Sequence, residues 1–528
     1  MEETRLLLGD EAIALGAVHA GISGVYAYPG TPSTEITEFI QTFSPQVRSR
    51  WCTNEKTAME AALGMSFAGK RALVCMKHVG MNVAADAFVN SAITGVNGGL
   101  VVVAADDPSM HSSQNEQDSR FYGNFAMIPI LEPSSQQEVY GMMKYAFELS
   151  ERVKLPVLLR IVTRLAHSRA GVRITDAIAQ NPLNPSNERS NWVLLPGNAK
   201  KQYASLVKKQ DVLKLESENS PYNIDTDFEK SGQGIIACGI AFNYVMENDP
   251  TVPVLKISQY PLPEATIKEF ARRCSSILVA EDGQPVVENL VKGILGNGYP
   301  VKGRLTGDLP RMGELTPDNV GAAMGIVQEK SFSTSENVMP RPPALCQGCG
   351  HRDVYNALNE ILKGYEGARI FGDIGCYTLG ALPPFRAIDS CVDMGASITM
   401  AKGAADAGVF PAVAIIGDST FTHSGMTGLL DAVNDNANIT VVISDNLTTA
   451  MTGGQDSAGT SKFEAICIAL GVEPEHVRVV VPIAKNMEEI TRTIKEEIEY
   501  KGVSVIIPRR ECIQTLNRKL RKKRAAQQ

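Results

Sequence analysis

The chain has 528 residues, of which 44% are hydrophobic and 21% are charged. This composition is that of an ordinary globular protein, so it excludes wholesale disorder, and the length predicts roughly three or four domains. The 51 basic and 58 acidic residues give a formal net charge of −7, so the chain as a whole has no basic footprint for nucleic acid. Neither an apolar run of about 18 residues nor a signal-peptide layout is present, so we expect a cytoplasmic protein without a membrane partner.

Ten cysteines in a chain of this length are too few for a disulfide scaffold. Only Cys346 and Cys349 have a spacing that is typical of metal ligands, and no second pair completes a zinc site. We interpret this pair as a glycine-rich turn that faces a cofactor, with a structural metal as the other option. No CxxCxxC run is present, so an iron–sulfur cluster is not expected in this chain.

Residues 1–185 alternate apolar strands with amphipathic helices, which predicts a doubly wound parallel sheet. Asp10 is a candidate cap for the first helix, and Gly21 is the glycine expected to end it. Asn54 is a candidate cap for a later helix, which Gly69 is expected to end. The strands predicted in this part of the chain are 25–28, 72–76, 99–105 and 156–162.

Polar residues and prolines dominate 186–231, which we interpret as a connector. A small α/β domain is predicted at 232–312, followed by a second connector at 313–345 and a last α/β domain at 346–510. The remaining residues, 511–528, form a basic tail, which we interpret as a solvated helix end and not as a nucleic-acid site. The strands predicted in these two domains are 234–238, 254–257, 276–279, 368–371, 411–416, 439–444 and 503–507.

The strongest chemical signal lies in the last domain, at the ends of two consecutive strands. Asp418 and Asn446 each follow a predicted strand within two residues, and the segment between the strands has the length of a crossover helix. Both side chains should therefore emerge at the carboxyl edge of a parallel sheet, where ligands bind. With the carbonyl of Thr448 they form a partial oxygen shell suited to Mg²⁺. Two ordinary βα turns are the alternative, since Gly-Asp and Asp-Asn also favour turns.

This arrangement resembles the thiamine diphosphate fingerprint, Gly-Asp-Gly followed by Asn-Asn, which here reads Gly417-Asp418-Ser419 and Asp445-Asn446. Other segments resemble the 2-oxoacid:ferredoxin oxidoreductases, and among them the alpha subunit of the indolepyruvate branch. These segments are 28–35, 77–86, 105–118, 346–351 (Cys-Gln-Gly-Cys-Gly-His), 372–377 and 394–397. The resemblance covers residues 5–512.

The resemblance implies an α/β fold with two doubly wound parallel-sheet domains that bind thiamine diphosphate. The pyrimidine-binding domain would be 1–185 and the diphosphate-binding domain 346–510, joined through a small transketolase C-terminal-like α/β domain at 232–312. The implied cofactors are thiamine diphosphate and Mg²⁺. The implied partners are a 2-oxoacid, CoA, ferredoxin, and a beta subunit or a second copy of the chain.

The resemblance also implies roles for individual residues. Glu55 would be the catalytic carboxylic acid beside the aminopyrimidine of the cofactor, although a Glu in the first turn of a helix is also explained by the macrodipole. Thr31, His78 and His111 would contact the substrate, although a loop histidine is usually just solvated. The residues expected to bind the cofactor are Gly350, Gly375, Cys376, Gly417, Asp418, Ser419, Asn446 and Thr448, and Asp418, Asn446 and Thr448 would also hold the metal.

The implied activity is the oxidative decarboxylation of an arylpyruvate such as indolepyruvate to an acyl-CoA, with electrons passed to ferredoxin. The alpha subunit of this branch usually continues beyond the region of Cys512 into a two-cluster ferredoxin domain, whereas this sequence stops. Two alternatives therefore stay open. One is a non-oxidative 2-oxoacid decarboxylase, a lyase that gives an aldehyde, and the other is a subunit that binds the cofactor without turnover.

Overall fold

The computed structural model describes residues 3–526 apart from 227, 297, 327–334 and 340. The chain forms two compact units, Met1–Ser333 and Thr334–Gln528. The division falls inside the connector predicted at 313–345. Among the described residues, none of the helices combines the length and the apolar character that crossing a bilayer requires.

The first unit alternates strands and helices along most of its length. Its strands are β1 (Thr4–Leu8), β2 (Gly24–Ala27), β3 (Arg48–Trp51), β4 (Ala72–Lys77), β5 (Leu100–Asp106), β6 (Ile130–Leu131), β7 (Val157–Val162), β8 (Arg169–Arg173), β9 (Ile224–Asp225), β10 (Ser231–Cys238), β11 (Val254–Ile257), β12 (Gln259–Tyr260), β13 (Cys274–Ala280) and β14 (Val301–Lys302). Its helices are α1 (Gly9–His19), α2 (Thr34–Gln41), α3 (Glu55–Phe67), α4 (His78–Thr94), α5 (Arg120–Ala126), α6 (Gln136–Val153), α7 (Thr163–His167), α8 (Arg189–Trp192), α9 (Pro196–Glu218), α10 (Ala241–Asn248), α11 (Glu264–Arg272), α12 (Val286–Leu295) and α13 (Pro317–Ala323).

A seven-stranded sheet in the order β12-β6-β7-β5-β4-β2-β3 dominates the first unit. Its pairings are parallel except for the one between β12 and β6. Every residue of β4, β5 and β7 is buried, as expected of central strands that helices cover on both faces. This is the doubly wound sheet that the alternating pattern of residues 1–185 predicts.

A smaller sheet in the order β14-β13-β10-β11-β9 follows in the same unit. Its pairings are parallel except for the one between β9 and β11. Three of its strands, β10, β11 and β13, include the segments predicted for the small α/β domain. Between them, β12 joins the larger sheet, where Gln259 lies opposite Leu131. The small sheet is therefore built into the first unit.

A buried network of ion pairs links the two sheets of this unit. Arg160 on β7 is completely buried, and its Nε donates to Asp106 at 2.6 Å. Its Nη2 donates to the carbonyl of Asp282, just beyond β13, at 2.8 Å. Arg120, also completely buried, pairs with Glu281 at 2.8 Å. The network gives a structural reason for Asp106 in the family-like segment 105–118.

We expect Arg160→Ala to lower the free energy of unfolding by about 3–5 kcal/mol, because it leaves buried carboxylates without their cation. The matched control is Arg152→Ala, whose partner Glu216 lies at 2.7 Å in a pair that is partly exposed to solvent. Removing an exposed pair of this kind costs about 1 kcal/mol or less. Urea denaturation followed by circular dichroism measures the free energy of unfolding of both variants. An equal loss of this free energy in the two variants would contradict the structural role of the network.

The connector predicted at 186–231 contains a helix that the sequence pattern did not reveal. Helix α9 has 23 residues, of which only Leu206, Leu213 and Ser217 are buried. A helix that is polar on most of its surface lacks the apolar stripe from which helices are recognised in a sequence. The prolines and polar residues around it therefore suggested a loop.

The predicted helix ends of the first unit are right in three of four cases. Asn54 caps α3, since its side chain accepts a hydrogen bond from the amide of Thr57 at 2.9 Å. Gly21 and Gly69 follow α1 and α3 at φ values of 71° and 84°, which favour glycine. The prediction for Asp10 is wrong, because Leu8 is the cap of α1 and Asp10 lies inside the helix, completely buried.

The second unit contains one parallel sheet in the order β16-β15-β17-β18-β20-β19. Its strands are β15 (Arg369–Gly372), β16 (Ser390–Cys391), β17 (Ala412–Gly417), β18 (Ile439–Ser444), β19 (Val477–Val480) and β20 (Val503–Pro508). Its helices are α14 (Gly350–Leu362), α15 (Ala396–Asp406), α16 (Asp418–Thr420), α17 (Met426–Asn434), α18 (Phe463–Ala469), α19 (Met487–Glu499) and α20 (Ile513–Ala526). The four strands predicted here are found, with β17, β18 and β20 buried throughout and β15 buried only in part. The basic tail forms the largely exposed helix α20.

Candidate functional site

Asp418 and Asn446 lie together at the carboxyl edge of the second unit's sheet. Asp418 directly follows β17, and Asn446 follows the parallel neighbour β18 by two residues. The amide of Thr448 donates to Asp418 Oδ2 at 3.1 Å and to Asn446 Oδ1 at 3.2 Å. Because both oxygens accept from the same N–H group, the structure brings the carboxylate and the amide oxygen to one point.

The environment of Asp418 suits a bound cation. The residue is only 3% exposed, and burial, with a contribution from the neighbouring carboxylate of Asp445, raises the pKa of Asp418 to about 7. Asp445 itself accepts a hydrogen bond from Arg509 Nε at 2.6 Å. A divalent cation beside Asp418 would offset the cost of keeping this carboxylate charged and buried. The donor set therefore fits Mg²⁺.

The loops after β17 and β18 are tied to each other. The amide of Ser419 donates to Asp418 Oδ1 at 2.6 Å, and the hydroxyls of Ser419 and Thr449 share a hydrogen bond of 2.6 Å. Thr448 Oγ1 donates to the carbonyl of Gln455 at 2.9 Å. The side chain of Thr448 is thus engaged within the loop, which leaves its carbonyl as the candidate metal ligand.

Two of the predicted cofactor glycines make room for an aromatic ring. A Cβ atom at Gly417 would lie 2.6 Å from a ring carbon of Tyr377, and one at Gly375 would overlap the same ring. The hydroxyl of Tyr377 donates to the buried carboxylate of Asp373, which also accepts from Ser397 Oγ at 2.6 Å. Gly417 is one of the residues expected to bind the cofactor, and in this structure the ring of Tyr377 fills the space where a side chain at this position would lie.

A cavity of about 190 Å³ opens beside Asn446 and Gly350. Four cysteines line it, namely Cys346, Cys349, Cys376 and Cys512. Burial, together with these neighbouring thiols, raises the pKa of Cys376 to about 12. Three of the predicted cofactor residues, Gly350, Cys376 and Asn446, therefore line the cavity that holds the four thiols.

The convergence of these thiols corrects the cysteine argument made from the sequence. Spacing along the chain picks out only Cys346 and Cys349. Cys376 follows β15 and Cys512 follows β20, so the parallel sheet delivers both to the edge that carries Asn446. The rule that placed Asp418 and Asn446 at this edge would also have found Cys376 and Cys512.

Glu55 occupies a buried position in the first unit. It is the first residue of α3 and is 5% exposed. Its carboxyl group lies against the first turn of α4, where a Cβ atom at Gly80 would be 2.8 Å from Glu55 Oε1. His78 begins the same helix and is 1% exposed, and burial lowers its pKa. Neither ring nitrogen of His78 forms a well-aligned hydrogen bond among the described residues, although the side chain of Asn115 interacts with the ring.

The loop that carries Thr31 packs beside His78 through Lys77. A Cβ atom at Gly30 would lie 3.2 Å from Lys77 Cβ. Lys77 Nζ donates to the carbonyl of Ser112 at 2.7 Å, and burial lowers the pKa of Lys77 to about 8. The sequence alone assigns no role to Lys77. A lysine at the end of a fully buried strand is the signal that could have identified it.

His111 has a different environment from His78. Its side chain is 47% exposed, and its Nε2 lies 3.3 Å from Glu314 Oε1. The loop that carries it is anchored by Asp107, which accepts hydrogen bonds from the Ser112 amide at 2.8 Å and from Thr163 Oγ1 at 2.7 Å. The structure therefore gives His111 a contact with the carboxylate of Glu314, so its ring is not unpartnered.

Known proteins match both units. A family profile described as "Pyruvate flavodoxin/ferredoxin oxidoreductase, thiamine diP-bdg" matches residues 15–220. One described as "Thiamine pyrophosphate enzyme, C-terminal TPP binding domain" matches residues 373–507. Among solved structures, the 2-oxoglutarate:ferredoxin oxidoreductase from Magnetococcus marinus aligns with a TM-score of 0.51 at 16% identity, over 61% of this chain and 65% of that one. At this identity the structural match supports the fold alone.

Sequence relatives extend over nearly the whole chain. The "Indolepyruvate oxidoreductase subunit IorA" of Pyrococcus horikoshii is 38% identical over 562 residues, which cover 97% of this chain and 86% of the relative. The protein of the same name from Archaeoglobus fulgidus is 38% identical over 552 residues, with the same coverage of both chains. The chain therefore belongs to the indolepyruvate oxidoreductase IorA family and is a thiamine diphosphate-binding oxidoreductase of the 2-oxoacid:ferredoxin type.

Proposed function

We propose that the chain is the alpha subunit of an enzyme that oxidatively decarboxylates an arylpyruvate, with indolepyruvate as the first candidate, to an acyl-CoA. The 2-oxoacid would lose CO₂, its acyl group would join the sulfur of CoA with release of the thiol proton, and two electrons would reduce two ferredoxins. The names of the relatives support the substrate class. The observation that carries the oxidative outcome is the set of four thiols in the cavity beside Asn446.

In this proposal the second unit holds the diphosphate end of the cofactor. Asp418, Asn446 and the carbonyl of Thr448 would bind Mg²⁺, supported by the shared Thr448 amide and by the buried carboxylate. Backbone groups and side chains around this point would contact the diphosphate. The residues proposed for this contact are Gly350, Gly375, Cys376, Gly417 and Ser419.

The first unit would supply the catalytic acid and the substrate contacts. Bound thiamine diphosphate supplies the carbanion chemistry that 2-oxoacid decarboxylation needs. Glu55 would hold a proton at N1′ of the aminopyrimidine, and its burial beside α4 keeps water from competing for this proton. Of the proposed substrate contacts, His78 has the strongest support, because it is 1% exposed and its ring nitrogens form no well-aligned hydrogen bond with the described residues. Thr31 and His111 remain proposals.

The four thiols fit an iron–sulfur cluster. Cysteine thiolates in sets of four are the usual ligands of a [4Fe–4S] centre, which accepts and donates single electrons. Cys346, Cys349, Cys376 and Cys512 would hold the cluster close to the proposed diphosphate site. Such a centre distinguishes the oxidoreductase from a non-oxidative decarboxylase, since a lyase has no electrons to remove. A beta subunit, a second copy of this chain and ferredoxin remain the proposed partners.

We expect anaerobic reconstitution with iron and sulfide to load about four iron atoms per chain, with a visible absorbance that Cys512→Ser removes or strongly reduces. The matched control is Cys391→Ser, an exposed cysteine of the same unit that does not line the cavity. Dye reduction with indolepyruvate and CoA, measured with the beta subunit present, should fall with Cys512→Ser and stay unchanged with Cys391→Ser. Full dye reduction by a Cys512→Ser enzyme that holds no iron would contradict this electron route.

A further inference from the structure

A second group of possible ligands lies in the first unit, apart from the residues proposed to contact the cofactor or the substrate. Asp10 of α1, Glu35 of α2 and His167 of α7 each offer one ligand atom, and these atoms lie within 4.8 Å of one another. His167 Nε2 is 3.7 Å from Glu35 Oε2. Three helices that are distant in sequence therefore bring two carboxylates and an imidazole to one place.

Asp10 is the unusual member of this group. It is 0% exposed, and no N–H or O–H group of the described residues donates to its carboxylate oxygens, whose neighbour is the carboxyl group of Glu35. Burial, with a contribution from Glu35, raises the pKa of Asp10 well above its ordinary value. A buried carboxyl group to which no N–H or O–H group donates calls for a compensating proton or cation.

The group lies on rigid elements and is open to solvent on one side. A Cβ atom at Gly9 would overlap the carbonyl of Leu165, so the start of α1 packs directly against α7. The side chains of Glu35 and His167 are 40% and 35% exposed, so an ion can reach the group from solvent, although Glu35 Oε2, the atom that faces His167, is itself buried. A fixed buried ligand with two accessible ones is a geometry that a metal ion can use without refolding the helices.

We propose that Asp10, Glu35 and His167 bind a divalent cation of the first transition series, such as Mn²⁺ or Zn²⁺. Two carboxylate oxygens and one imidazole nitrogen suit these ions better than Ca²⁺ or Mg²⁺, which favour oxygen ligands alone. Three protein ligands leave at least one position for water. Since Glu35 lies in the first turn of α2, the ion would fix the turn that carries Thr31.

Manganese titration of the metal-free chain tests this site, with free Mn²⁺ followed by electron paramagnetic resonance. Thiamine diphosphate is left out, so the Asp418 set lacks its phosphate ligands, and Mn²⁺ has little preference for the four thiols. We expect one Mn²⁺ site per chain, with an affinity that Asp10→Asn and His167→Gln each lower about 100-fold or more. The matched control is His476→Gln, which removes another histidine–carboxylate contact, 2.8 Å from Glu497, and should change nothing.

The competing explanation is a carboxyl pair in which Asp10 and Glu35 share a proton. Infrared difference spectra of the wild type against Asp10→Asn identify the carboxylic acid band of Asp10. We expect Mn²⁺ to abolish this band in the wild type, because a metal ligand is deprotonated. Equal Mn²⁺ affinity in the wild type and His167→Gln, or an Asp10 band that persists at saturating Mn²⁺, would overturn the proposal. Because His167 is partly exposed, we expect His167→Gln to fold. This variant therefore tests the site even if Asp10→Asn does not fold.

Discussion

Asp418→Ala should abolish the Mg²⁺-dependent binding of thiamine diphosphate, with a loss of more than about 100-fold in affinity. The substitution removes the one ionised ligand of the proposed metal site, which is 3% exposed and has its oxygens oriented by the amides of Ser419 and Thr448. Asn446→Ala should have the same effect, since its amide oxygen accepts from the same Thr448 amide. Titration calorimetry at saturating Mg²⁺ measures both variants.

The matched control for these variants is Asp431→Ala, an exposed carboxylate on α17 of the same unit. It should leave the cofactor affinity unchanged, because it lies on the solvent side of the crossover helix. Thermal melting of the cofactor-free proteins shows whether the Asp418 and Asn446 variants fold. Unchanged cofactor affinity in either folded variant would remove these two residues from the proposed site.

Glu55→Gln should leave the binding of thiamine diphosphate largely intact and lower turnover by roughly 10²- to 10⁴-fold. Glutamine keeps the shape of the side chain against α4 and can still form hydrogen bonds, but it cannot hold the proton that the aminopyrimidine needs. Exchange of the cofactor's C2 proton, followed by quenched-flow NMR, reports this step directly. The exchange rate should fall together with turnover.

Glu60→Gln is the control for this variant, since Glu60 lies on the exposed face of the same helix, where it pairs with Lys56. It should exchange the C2 proton at the wild-type rate. Wild-type exchange in Glu55→Gln as well would reduce Glu55 to a charge at the start of a helix, which is the alternative that the sequence left open.

The elements that the sequence predicts well are those whose local pattern and tertiary role agree. The central strands β4, β5 and β18 are largely apolar, and every residue of each is buried in the structure. Asn54 is followed by a helical pattern, and it caps that helix. At the site, the ends of two consecutive parallel strands were enough to bring Asp418 and Asn446 together.

The features that the sequence does not reveal depend on contacts between distant segments or on weak local patterns. Helix α9 has almost no apolar stripe, and β16 has only two residues. Asp10 looks like a helix cap, but α1 is packed so closely that the residue is completely buried. Cys376 and Cys512 join the other two thiols only through the order of strands in the sheet.

The product formed from indolepyruvate tests the central claim most directly. The chain, reconstituted with iron, thiamine diphosphate, Mg²⁺ and its beta subunit, is incubated with indolepyruvate, CoA and oxidised ferredoxin. The oxidative proposal predicts an acyl-CoA, with two ferredoxins reduced for each CO₂ released. Release of CO₂ with the aldehyde as the product, no acyl-CoA and no reduced ferredoxin would contradict it and identify a non-oxidative decarboxylase.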